Sequence, residues 1–186
     1  MTAPARSLQR RRPLRLLVAA CAWAAFAAPA APVPREQLEA AIVYNILPYV
    51  EWPQDAGPGT GAPLVLCVDP ASRLSQPLRT LAGRPVREHR LEVQDLAPGD
   101  AARRCHAAVL DGSPRASGAG AAVRRLLRGQ PVLVFGDATA TAGDAVAVQL
   151  VEADGRIAFE VDMTQVREAR LQINSRLLRL ARKVRE

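Results

Sequence analysis

The chain has 186 residues, 49% of them hydrophobic, and a formal charge of +7. At this length one domain hides roughly 70% of its unfolded surface, so a real core is expected. The basic excess does not mark a nucleic-acid binder. Arg6, Arg10, Arg11, Arg12 and Arg15 fall within the first 15 residues, and 25 basic residues less these five leaves 20 against 18 acidic ones. The folded part therefore lacks the electrostatic footprint of nucleic-acid binding.

Residues 1–30 read as a secretory signal that is removed, and 31–186 as a single domain. Arg10 to Arg12 form the charged end, Leu14 to Ala28 the apolar run, and small residues follow. Cleavage is expected after Ala27 or Ala30. The run is shorter than the roughly 20 residues that span a bilayer. Arg11-Arg12 leaves a twin-arginine route open. Val18-Ala19-Ala20-Cys21 resembles a lipoprotein box, but Ala22 to Phe26 continues the apolar run instead of starting a polar tether. Cys21 is therefore assigned to the discarded leader, and a soluble exported protein is expected.

The stretch Ala41 to Pro53 holds both tyrosines and the only tryptophan outside the leader. Leu38, Ile42, Ile46 and Tyr49 or Val50 recur at the period of one helical face. Pro48 removes a hydrogen bond and is expected to kink the helix. Pro53 forces Trp52 out of the helical region. Two readings stand for Tyr44, Tyr49 and Trp52: filling the core of a domain poor in aromatics, or lining an apolar pocket or partner surface.

Gln54 to Ala62 is a loop by its Gly and Pro content. Leu64 to Val68 reads as a strand. Ser75 to Leu81 reads as a helix with Leu74, Leu78 and Leu81 on one face, stopped by Gly83. Val86 to Val93, Ala107 to Leu110 and Val132 to Phe135 read as further strands. Ser113 to Gly120 is a loop and Ala121 to Leu127 a helix. Ala145 to Val151 and Arg156 to Val161 flank Asp154-Gly155, a hairpin signal. Asn174 is a helix N-cap, with Leu177, Leu178, Ala181 and Val184 on one face and Arg176, Arg179, Arg182 and Lys183 on the other. The fold class is α/β: a mixed, largely parallel sheet flanked by helices, with a C-terminal hairpin and closing helix.

Cys67 and Cys105 remain in the mature chain. An even count in an exported domain suggests a disulfide, since neighbouring strands would bring the two together. A redox-sensing role is the alternative. His89 and His106 are the only histidines. His106 follows Cys105, but adjacent residues of a strand point to opposite faces, so the two do not form a nucleophile pair. No metal-ligand spacing, nucleophile elbow or phosphate cradle occurs. No catalytic residue, metal or cofactor is expected.

Several pieces come in the order of a known family. They are the first helix ending in Glu51-Trp52-Pro53, the strand Leu64 to Val68, Cys105-His106 before an apolar strand, the strand Pro131 to Val134, the strand Gly155 to Phe159, and the ending Leu171 to Ala181. From about Gln37 to Val184 the chain resembles the YfiR family of small periplasmic proteins. The resemblance implies an α/β sandwich, often dimeric, with a disulfide at Cys67 and Cys105. Its best-understood member restrains a membrane-anchored diguanylate cyclase by binding that enzyme's periplasmic part. An outer-membrane lipoprotein of OmpA type relieves the restraint by capturing the repressor. The family usually has Asn where Asp162 stands and Gly where Arg170 stands, and Pro48 is unusual in it.

The implied function is a non-enzymatic periplasmic regulator of cyclic-di-GMP signalling. Tyr49, Trp52, Arg176 and Arg179 are its candidate contact residues, because interface hot spots favour Trp, Tyr and Arg. The alternative is a small-molecule-sensing or accessory module for another membrane receptor, such as a histidine kinase.

Overall fold

A computed structural model describes residues 32–96, 104–110, 119–137 and 145–186. The expected leader, Cys21 and residues 113–118 of the expected loop lie outside the described residues. The chain divides into a first unit, Met1–Pro32, and a second, Val33–Glu186.

The second unit is built on an eight-stranded sheet. Its strands are β2 (Leu64–Val68), β3 (Pro85–Val86), β4 (His89–Asp95), β5 (Ala107–Leu110), β6 (Leu133–Gly136), β7 (Val148–Ala153), β8 (Arg156–Asp162) and β10 (Lys183–Arg185). Their order across the sheet is β10-β8-β7-β6-β5-β2-β4-β3. The pairs from β4 through β2, β5 and β6 to β7 are parallel, as is β8 with β10. The β3–β4 and β7–β8 pairs are antiparallel. This is the expected fold class.

The central strands β2, β5 and β6 are buried throughout. Parallel strands covered on both faces need such continuous apolar runs. Alternate residues feed two cores. Leu64, Leu66, Val109 and Phe135 face the larger one, with helix α1 (Arg35–Ile46) and helix α2 (Ser75–Arg79). Val65, Cys67, Ala108 and Val134 face the smaller one, against Val123 and Leu127 of α3 (Ala119–Leu127).

The expected face of α1 is displaced by one residue. Glu39, Ala40, Val43 and Ile46 are buried, whereas Leu38 is 45% exposed. The buried series continues through Leu47 and Val50. Two interactions turn the helix this way. Glu39 is drawn inward by Arg35, at 2.8 Å, and by Arg73. Pro48 ends the helix in a 3-10 turn, Leu47–Tyr49, which seats Leu47 in the core.

The expected strand Val86 to Val93 is two strands. Arg87 adopts a left-handed φ of 52° and folds β3 back on β4, a turn without the Asn-Gly or Asp-Gly signal. The Asp154-Gly155 turn is as expected: φ is 52° and 70°, and β7 and β8 pair from Ala153↔Arg156 to Val148↔Val161.

Helix α4 (Met163–Glu168) follows β8. The Asp162 side chain caps it, accepting from the amides of Thr164 and Gln165. An Asn serves equally there. Arg170 has φ 56°, the left-handed region that favours glycine. Both departures from the resembled family thus fall on positions with a defined backbone role.

The closing helix is shorter than expected. Asn174 caps it as expected, accepting from the Arg176 amide at 2.9 Å, but α5 spans only Ser175–Leu178. Val184 lies in β10, opposite Val161 of β8. The cause is Glu160, buried on β8. Arg182 and Arg185 reach its two carboxylate oxygens at 2.7 and 2.6 Å, which the strand geometry of the chain's end permits.

Candidate functional site

The short strand β1 (Val50–Glu51) carries the chain out of the 3-10 turn. It pairs antiparallel with β9 (Gln172–Ile173), just ahead of α5. The Asn174 amide donates to the Tyr49 carbonyl at 2.9 Å, and the Asn174 side chain caps the helix that bears Arg176. The two candidate segments, distant in sequence, therefore form one surface. Arg176 and Arg179 are exposed and form no ion pair among the described residues. Leu177, only 2% exposed, anchors α5 to the larger core. Tyr49 is half-buried against the same core.

The three aromatics of the first segment point to different places. The Tyr44 hydroxyl donates to the Pro85 carbonyl at 2.6 Å, and Arg84 lies over its ring at 5.9 Å. Tyr44 thus ties α1 to the edge strand. Trp52 turns towards the entry of β5, where its indole Nε1 donates to the His106 carbonyl at 2.8 Å. Its ring meets the His106 imidazole edge-on, centroids 6.4 Å apart. Gly57 packs behind it, where a Cβ would sit 3.1 Å from the Trp52 Cβ.

His106 is a residue whose role the sequence did not show. Its ring Nδ1 accepts from the Val65 amide at 2.9 Å, so the ring is neutral with its proton on Nε2. Burial pushes its pKa down, His89 adds to this, and the Gly57 carbonyl opposes it. The opposite-face argument for Cys105 and His106 holds. Cys105 turns to the smaller core and forms a disulfide with Cys67, Cα atoms 5.7 Å apart, across β2 and the entry to β5.

Glu39 was also missed, although Arg35 one helical turn before it is an available i,i+4 signal. Among the described residues no group of three or more His, Cys, Asp or Glu side chains could hold a metal. None of the described helices is long and apolar enough to cross a membrane. Two concave regions stand out. One, about 570 Å³, is lined by Trp52, Gly57, Thr60, Arg87 and His89. The other, about 580 Å³, lies between α1 and the β7–β8 turn, over Leu38, Ala41, Ile42 and Ile157.

A family model described as DUF4154, YfiR/HmsC-like, matches residues 36–182. No curated protein matches the chain. Among solved structures, a conserved domain protein from Vibrio cholerae O1 biovar eltor is similar at a TM-score of 0.51 and 12% identity, over 82% of this chain. The ABC domain in complex with L-Trp from Streptococcus pneumonia has a TM-score of 0.49 and 9% identity, over 80% of this chain. This chain spans 61% and 60% of the lengths of those two. The first likeness concerns the fold alone.

Proposed function

The chain belongs to the YfiR/HmsC-like family, and from that premise we propose that it is a non-enzymatic periplasmic regulator. It binds the periplasmic part of a membrane-anchored diguanylate cyclase, restrains it, and so lowers cyclic-di-GMP. The observation that carries this reading is the family match over residues 36–182. The surface formed by β1, β9 and α5 supports it, because Arg176 on α5 and Arg179 just after it are exposed there and form no ion pair among the described residues. A regulator of this kind acts by binding one conformational state of its target better than another, with a differential of a few kcal/mol. An OmpA-like outer-membrane lipoprotein is the expected antagonist, and a homodimer the expected assembly. Export requires removal of a leader ending near Ala27 or Ala30.

The test is genetic. Deleting the gene under conditions where it is expressed should raise cyclic-di-GMP and biofilm formation, and restoring it should reverse both. Unchanged nucleotide levels in the deletion strain would overturn the reading.

The second reading is a sensory module for a small molecule, such as an accessory to a histidine kinase. The apolar recess of about 580 Å³ over Leu38, Ile42 and Ile157 favours it, since ligand sites commonly measure roughly 300–1,000 Å³. A ligand that raises the melting temperature of wild type but not of Ile42→Arg would support it.

A further inference from the structure

His106 makes four hydrogen-bonded links to three other parts of the fold: β2, the residue that opens β6, and the Trp52 segment. Its main-chain amide donates to the Val65 carbonyl at 2.9 Å, and its carbonyl accepts from both Leu133, at 3.0 Å, and the Trp52 indole. These bonds are indifferent to the ring's charge. The fourth link is not. The Val65 amide donates to ring Nδ1 at 2.9 Å, so a side chain completes the ladder where β2 meets β5. A neutral imidazole can accept there, but an imidazolium carries N–H at both nitrogens and cannot. Protonation therefore sets a donor against a donor inside a half-buried site, and the ring must leave its place. The same ring packs edge-on against Trp52.

The surrounding charges offer the cation no relief. From β4 the facing group is His89, whose Nδ1 lies 2.9 Å from the Ala62 carbonyl and whose Nε2 lies 3.3 Å from Glu88. Glu51 and Arg87, which line the recess of about 570 Å³ together with Trp52 and His89, pair with each other at 3.6 Å. The loop contributes only the Gly57 carbonyl, and Cys67 of β2, held in the disulfide, turns away to the smaller core. No carboxylate forms an ion pair with His106 among the described residues.

We propose that His106 is a proton-operated latch: neutral, it closes the β2–β5 junction and holds Trp52; protonated, it releases the Val65 amide and loosens the Trp52 segment. That segment follows β1, so the opening reaches the strand paired with β9.

The test is an amide and indole NMR titration of the protein from about pH 8 to about pH 4.5, a span that brackets the ordinary histidine value. The Val65 amide and the Trp52 indole resonances should shift together with one midpoint, below the ordinary histidine range. In His106→Gln, whose amide oxygen accepts but does not titrate, the joint shift should vanish. In His89→Gln, which removes the imidazole that pushes the His106 value down, the midpoint should rise. Resonances that stay in place across the range would overturn the proposal. So would a joint shift that persists in His106→Gln. If that variant does not fold, the His89→Gln arm decides, and an unmoved or lowered midpoint counts against the latch.

Discussion

Trp52 donates its indole N–H to the carbonyl of His106 at 2.8 Å, across 54 residues of sequence. The bond fixes the segment after β1 to the entry of the central strand β5. It makes Trp52 a strap between the β1–β9 edge and the sheet, with its ring packed on the larger core. Trp52 is half-buried, so Trp52→Ala should cost less than the full core range, about 3 kcal/mol or below in a urea titration. Trp52→Phe keeps most of the apolar body and loses the hydrogen bond, so its cost should be smaller, nearer about 1 kcal/mol.

The disulfide closes a sequence separation of 38 residues. In the chain-entropy picture such a link stabilises by roughly 4 kcal/mol. Cys67→Ala/Cys105→Ala should therefore melt well below wild type, and peptide mapping without reductant should recover the two cysteines linked. Free thiols in exported protein would show that the bridge does not form there.

Glu160 is buried between Arg185 and Arg182. Arg185, with Arg182 behind it, holds its carboxyl below the usual range against the opposing effect of burial. As pH falls, the unfolded chain takes up this proton first. The contribution to stability is full above the ordinary glutamate value of about 4.3 and is lost as pH falls through the lower folded value. Glu160→Gln should be less stable than wild type at neutral pH, and its stability should fall less between about pH 5 and about pH 2. Acid-unfolding curves of the two proteins make the comparison.

Arg170 occupies a left-handed conformation at φ 56°, and its ion pair with Asp55 is long, at 3.5 Å, and exposed. A non-glycine residue there costs about 1–2 kcal/mol, and an exposed pair returns less than about 1 kcal/mol. Arg170→Gly should raise the midpoint of denaturation, in spite of the lost charge pair.

The sheet was legible where the chemistry is local. Leu64 to Val68 and Ala107 to Leu110 are apolar runs that only a doubly covered strand explains, and Asp154-Gly155 names its own turn. What failed depends on partners distant in sequence. Leu38 fits the helical period as well as Val43 does, and only the pull of Arg35 and Arg73 on Glu39 shows which side faces in. Val184 continues the helical spacing of Leu177, and only Glu160 on β8 explains why residues 183–185 form a strand. The Arg87 turn carries no glycine to announce it. Within the candidate site, Tyr49, Arg176 and Arg179 were singled out by residue type alone, and that they lie near one another rests on the β1–β9 pair, two residues long on each side. His106 was hidden for a similar reason. Its ring replaces a main-chain acceptor, a role that leaves no pattern in sequence.

The central claim is that this chain regulates by contact through the surface carrying Arg176 and Arg179. The most direct measurement is calorimetric titration of the purified protein with the periplasmic part of the host's membrane-anchored diguanylate cyclase, alongside melting curves. Wild type should bind saturably. Arg176→Glu/Arg179→Glu should bind at least about tenfold more weakly, a loss of about 1.4 kcal/mol, while melting like wild type. Absence of binding by wild type, or equal affinity in the charge-reversed variant, would contradict the account.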